Sequence, residues 1–241
     1  MSSFDPSLDG SVGHVLTHVS TFSSSEAGDD VENQGSLSVL EDPYGPYQVQ
    51  SKVLMTIQNW GQQLGVVISP DIFLSRLLSS RGYCSDLFPG LQSIYRRSPT
   101  PKEIEDYDNE LVCTIRNSDL PKLKSLHQEQ NRSLTACNKF CESIVHMACR
   151  RAEFDIVDYL VEHMGEQFGV DDYGRTPLHD ACWRSEPRFD IVTLLLDKNL
   201  DLLRVQDIRG ANPLNYVRKE HWMQWCAYLF HQKEKYWRIF R

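Results

Sequence analysis

Four side chains in the middle of this 241-residue chain have the types and spacing of a metal or thiol site: Cys137, Cys141, His146 and Cys149, in the order C-x3-C-x4-H-x2-C. Thiolate sulfur and imidazole nitrogen are the donors that tetrahedral zinc takes, and a thiol beside a histidine can be activated as a nucleophile. A second group lies in D-D-Y-G-R-T-P-L-H-D-A-C-W (171–183), where His179 and Cys182 stand three residues apart beside carboxylates. Each group can be read as a reactive site or as scaffold. The chain contains no glycine-rich phosphate loop ending in lysine, no H-E-x-x-H and no G-x-S-x-G.

The choice turns on whether the two groups are copies of one unit. His146 precedes His179 by 33 residues, and Cys149 precedes Cys182 by 33. A further copy begins at Gly210, where G-A-N-P-L-N-Y-V puts Asn215 on the histidine position after a step of 36. Upstream, L-V-C-T-I (111–115) falls 33 residues before the helix that contains His146, and D-L-P-K-L-K-S-L (119–126) has the apolar spacing of F-D-I-V-D-Y-L. About four units are therefore expected.

A period near 33 with T-P-L-H-x-A resembles the ankyrin repeat, a β-turn followed by two antiparallel helices. The resemblance rests on Asp171, Gly174, Thr176, Pro177, Leu178, His179 and Ala181, and on the second-helix pattern Ile156, Val157, Leu160, Val161, repeated as Ile191, Val192, Leu195, Leu196. It spans roughly residues 105–237. It departs from the family pattern where Cys141 replaces the turn glycine, Ser143-Ile144 replaces Thr-Pro, Asn215 replaces the histidine, and S-E-P-R-F lengthens a loop between helices. The resemblance implies an all-α solenoid of stacked helix-turn-helix units with β-turn tips. Gly174 and Gly210 suit a tight turn, Thr176 a helix cap and Pro177 a first helical position. One repeat cannot bury its apolar face alone, so the ends need caps. Trp225, Cys226, Leu229 and Phe230 are expected in the core of the C-terminal cap, and residues 50–80 are expected to cap the other end.

Charge divides the chain differently. Residues 1–50 hold no Lys or Arg and eight acids, which accounts for the whole net charge of −8. Residues 1–46 are accordingly expected to be an acidic disordered tail, 47–104 a helical segment with a Pro-rich linker, and 105–241 the repeat domain. No apolar run is long enough to span a membrane. An odd count of seven cysteines, with no export signal or transit peptide in view, points to reduced thiols in cytoplasm or nucleus. No cofactor is expected.

In ankyrin proteins partners are held at the turn tips and at the exposed end of the first helix. The resemblance carries these over to Lys139, Phe140, Glu142, Arg150 and Arg151 in the second unit, and to Asp172, Tyr173, Arg175, Trp183 and Arg184 in the third. The fourth unit adds Ile208, Arg209, Lys219 and Glu220. Seven of the fourteen are basic and three acidic, so a protein partner with an acidic surface is implied. The sequence pI near 5.5 argues against nucleic acid. A monomeric, non-catalytic adaptor or scaffold is expected; the alternative is a zinc- or thiol-dependent site on Cys137, Cys141, His146 and Cys149. Arg96-Arg97 before Ser98-Pro99 and Thr100-Pro101 marks Ser98 and Thr100 as candidate phosphorylation sites.

Overall fold

The computed structural model describes residues 51–64, 68–165 and 168–239. The acidic segment 1–46, expected to be disordered, lies outside the described residues. Three helix pairs form the body: α4 (Asn109–Arg116) with α5 (Leu120–Gln128), α6 (Ile144–Arg151) with α7 (Phe154–His163), and α8 (Pro177–Cys182) with α9 (Phe189–Lys198). The first helices stack on one another, α6 between α4 and α8, while α7 lies between α5 and α9. Leu178, Ala181, Ile191, Val192, Leu195 and Leu196 are buried between these layers, as their spacing requires. Cys149 is fully buried in the same interface.

The helices begin where side chains can satisfy their first N–H groups. Asp108 accepts from Leu111 N at 2.9 Å and Asp119 from Lys122 N at 3.0 Å. In the next two pairs this work falls to a hydroxyl and a histidine: Thr176 with His179, and Ser143 with His146. The fourth unit departs from expectation. In place of a first helix it has a 3-10 turn, Pro213–Tyr216, and a second one, Lys219–His221, before α10 (Trp222–Tyr236). Asn215 substitutes for the histidine as far as it can reach, its Oδ1 accepting from Asn212 N at 2.9 Å. In α10 Trp225, Cys226 and Leu229 are in the core as expected, but Phe230 is only half-buried, with Lys233 Nζ over its ring. Tyr228 is buried instead, stacked on Phe189 at 4.6 Å, its hydroxyl 3.0 Å from Thr193 Oγ1.

The N-terminal helices correct a second expectation. α1 (Ser51–Leu64) packs on α10, and α2 (Pro70–Ser80) packs on α10 and on the 213–216 turn. They therefore cover the same end as α10 and leave the start of the stack to other residues. Arg81 joins this end by an ion pair to Glu234 at 2.8 Å and a hydrogen bond to the carbonyl of Trp237, and Tyr83 donates to the carbonyl of Arg238. From there the chain returns along the stack as a strap. Arg204 Nε donates to Asp86 O at 2.7 Å; β1 (Phe88–Pro89) pairs in parallel with β2 (Val205–Gln206); Val170 N donates to Tyr95 O at 3.1 Å. Arg96 pairs with Asp172 at 3.0 Å, and Cys137 N donates to the carbonyl of Glu103 in α3 (Pro101–Asp106). The proline-punctuated segment thus visits the fourth, third and second units in turn before the first begins.

α3 ends the strap with a reciprocal cap: Glu103 N donates to Thr100 Oγ1, and Thr100 N to Glu103 Oε2 at 2.8 Å. Burial opposes ionisation of Glu103, but hydrogen bonds from Arg97 and Thr100 override it and hold the pKa at about 2. A carboxyl depressed below its unfolded value of 4.5 stabilises the fold above that value, and the contribution is lost as pH falls towards 2. Glu103→Gln is expected to cost about 2 kcal/mol at pH 7, the scale of charge-assisted hydrogen bonds. Urea unfolding as a function of pH should show wild type and variant converging below pH 4.5.

Candidate protein-binding surface

Each finger between units is a turn held by its own acidic or amide side chain. Asp171 Oδ1 accepts from Tyr173 N and Arg175 N at 2.9 and 2.8 Å, with Gly174 at φ +76°. Asp207 does the same for Arg209 N and Ala211 N, with Gly210 at φ +77°. In the first finger Asn138 takes the role, and Cys141 occupies the glycine's conformation at φ +61°. Neighbouring fingers are joined: Asp172 N donates to Phe140 O at 3.0 Å and Ile208 N to Tyr173 O at 2.9 Å. This ladder lines up Phe140, Tyr173 and Ile208 at the tips, each more than half exposed. Cations flank two of them, Lys139 Nζ 5.1 Å from the Phe140 ring centre and Arg175 5.2 Å from that of Tyr173.

Behind the tips the C-terminal ends of the first helices line a groove. Arg116, Met147, Arg150, Arg151 and Trp183 surround one lobe. Arg150, Arg151 and Trp183 also border a second, completed by Arg184, Ser185 and Arg218. Trp183, the C-cap of α8, is 49% exposed.

The fourteen residues expected on one stripe thus separate by environment. Lys139, Phe140, Asp172, Tyr173, Ile208 and Arg209 are at the fingers and exposed; Arg151 and Trp183 are exposed in the groove. Four others are tied into the fold. Glu142 and Arg150 pair with each other, and Arg150 Nη1 reaches Asp180 at 2.9 Å. Arg175 Nε donates to Asp171 at 2.7 Å, and Arg184 donates to the carbonyls of Cys149 and Ala152 at 3.2 and 3.1 Å. Arg209 also pairs with Asp207, which hydrogen bonds from Tyr216, Ala211 and Arg209 hold below the usual carboxylate range against the effect of burial. Lys219 sits over Trp222, and Glu220 lies 3.9 Å from Arg218. Arg116 and Arg218 line the groove without having been singled out by sequence. Arg116 ends the first helix of the first unit, and position in the repeat would have found it.

The reactive reading of the histidines does not survive the geometry. Thr176 N–H can only donate, so His179 Nδ1 accepts it, at 3.0 Å, and Nε2–H donates to the carbonyl of Ala211 at 3.3 Å. His146 is spent in the same way on Ser143 N and the carbonyl of Arg175. Burial of His179 lowers its pKa to about 4, fixing the neutral form this network needs. Burial also raises Cys137 to about 12 and lifts Cys149 well above the usual thiol range, opposite to the shift that activates a thiol. Among the described residues no three His, Cys, Asp or Glu side chains are placed to share a metal ion, so Cys137, Cys141, His146 and Cys149 are not assembled as ligands. Ser98 and Thr100 are both exposed; the Thr100 hydroxyl is committed to the α3 cap.

Stacked helix pairs with hydrogen-bonded turn fingers define the class. Residues 111–206 match the ankyrin-repeat family model, in three copies. No curated protein matches it. Among solved structures it is similar to the ankyrin repeat domain of Bcl-3, described as a unique member of the IkappaB protein family, with 22% identity and a TM-score of 0.43. That similarity covers 54% of this chain and 58% of the other.

Proposed function

We propose that this chain is a protein-binding adaptor that holds a partner on the finger tips and in the groove behind them and performs no catalysis. The observation that carries this is the contiguous row Phe140, Tyr173 and Ile208 with Trp183 behind it. These large apolar side chains remain exposed on a rigid ladder, while the buried histidines and thiols are consumed by the scaffold. Exposed aromatics beside arginine are the usual composition of interface hot spots. The seven cysteines are all free thiols, five of them buried, which favours a reducing compartment such as cytoplasm or nucleus. Among the described residues no helix is long and apolar enough to cross a membrane.

The test is quantitative capture of a partner from native lysate by wild type, Trp183→Ala and Tyr173→Ser/Ile208→Ser. These side chains are suited to the purpose because each is exposed; Arg184 is not, since its loss would leave two carbonyls unpaired. Each variant should lower partner affinity about tenfold, the effect of removing one hot-spot contact, with an unchanged circular dichroism melt. Full retention by both variants would place recognition elsewhere on the molecule.

A further inference from the structure

The groove has a charge that fold maintenance does not use. Five arginines, Arg116, Arg150, Arg151, Arg184 and Arg218, border it around Trp183. Arg150 is neutralised from within by Glu142 and Asp180. Arg184 donates through Nη1 to two carbonyl oxygens, and burial followed by the nearby Arg188 holds its pKa below the ordinary value. Arg218 has its nearest carboxylate, Glu220, 3.9 Å away. Arg116 and Arg151 are exposed and have no carboxylate within ion-pair distance among the described residues. Part of this charge complements the negative ends of the helices it sits on. That role needs one cation per helix end; it does not account for guanidinium groups from successive units meeting around an exposed indole.

The two lobes, near 770 and 340 Å³, meet at the Arg151 and Trp183 pair that borders both. Each has room for a few side chains and not for a folded domain. Guanidinium forks match carboxylate and phosphate oxygens in pairs, and an indole face takes an apolar side chain or a peptide plane. Single-stranded nucleic acid is a poorer fit, because it is held by bases stacked on successive aromatics and this groove offers only Trp183.

We propose that the groove binds an acidic linear peptide segment, with carboxylate or phosphate groups seated in both lobes and an apolar side chain against Trp183. This rests on the reading that the finger tips and groove receive a protein partner, and it names the chemistry of that partner.

Fluorescence anisotropy with synthetic labelled peptides on the full chain tests it. One peptide carries clustered glutamates around a leucine, a second replaces the glutamates by phosphoserine, and a third by glutamine; a dT oligonucleotide of matching length is the fourth probe. The glutamate or phosphoserine peptide should bind with Kd below about 100 μM, roughly −5.5 kcal/mol, and weaken with added salt, while the glutamine peptide should not bind. Binding of both anionic peptides identifies a carboxylate-competent site, and binding of the phosphoserine peptide alone identifies a phosphorylated ligand. Arg116→Glu/Arg151→Glu should reduce the affinity at least about tenfold with only a small loss of melting temperature, from the reversed charge at two helix C-termini, since neither side chain is bonded within the fold. Equal binding of the glutamine peptide, an undiminished affinity in the double variant, or tighter binding of the oligonucleotide would overturn the proposal. If partner capture is lost in Tyr173→Ser/Ile208→Ser but is indifferent to the arginine reversal, the adaptor function stands and the acidic-ligand proposal alone fails.

Discussion

Between pH 7 and pH 4 the protein is expected to lose about 3 kcal/mol of unfolding free energy through His179 alone. The cause is its burial. In the folded chain the imidazole accepts from Thr176 N through one nitrogen and donates to the carbonyl of Ala211 through the other, a pattern only the neutral ring can make. Its pKa is about 4 when folded and about 6.5 when unfolded. A histidine whose folded pKa is depressed leaves the unfolded chain binding the extra proton between these values. Stability is therefore full above pH 6.5 and falls as pH drops towards 4, at about 1.4 kcal/mol for each pKa unit of difference. His179→Ala should cost about 3 kcal/mol at pH 7, combining a lost helix cap, an unpaired carbonyl and a cavity. Its stability should then vary less steeply between pH 6.5 and 4 than wild type. His179→Asn copies the fourth unit, where Asn215 already caps Asn212, so it should retain part of the cap and shed the titration. Urea denaturation of the three proteins across this window is decisive: parallel pH profiles for wild type and His179→Ala would exclude His179 as the titrating group.

That His179 belongs to the scaffold was legible in sequence because the repeat displays the histidine twice, at His146 and His179, 33 residues apart. The same holds for the core of α8 and α9, where a helical spacing of apolar residues has one possible buried face. Cys141 was legible as a departure from the pattern, and the backbone at φ +61° shows that the turn keeps its shape despite the substitution. Sequence failed where no local rule applies. The direction in which α1 and α2 fold back is a tertiary choice, set by contacts with α10 more than a hundred residues later in the chain. Phe230 follows Leu229 by one residue and so turns about 100° away from the buried face of α10. The groove residues were only half legible. Trp183 and Arg151 could be placed by their register in the repeat, but internal pairing of Arg150 and Arg175 depends on Asp180 and Asp171, whose orientation a one-dimensional pattern does not supply.

Replacing Gly90 by valine is expected to cost about 3 kcal/mol, the upper part of the range for overpacking, and to release the strap from the repeats. Gly90 follows β1 and is buried where the strap crosses the finger closed by Asp171. A Cβ there would fall inside contact distance of the carbonyl oxygen of Gly174, and would also meet Val205 Cγ1 at 3.0 Å and Gln206 O at 3.2 Å. The carbonyl cannot easily retreat, because the turn that holds it is closed by Asp171 and sits at φ +76°. The strap must move instead, and lifting it breaks the pairing of β1 with β2, the bond from Arg204 to Asp86 and the seat of Tyr95 against Val170. Gly82 provides the contrast. Its φ of +79° disfavours any side chain, yet nothing lies within 4 Å of an added Cβ. Gly82→Ala should therefore cost only about 1 kcal/mol of backbone strain and leave the strap in place. Limited trypsin digestion separates the two effects, since Arg96 and Arg97 lie within the strap: cleavage there should accelerate in Gly90→Val while α4 to α9 resist, and should match wild type in Gly82→Ala. A Gly90→Val protein with unchanged digestion and stability would mean that the strap does not seat against the finger closed by Asp171. Release of the strap would also free Asp172 from Arg96 at the edge of the finger row. The same variant therefore reports whether partner binding at the tips depends on a segment that reaches them from the α10 end of the stack.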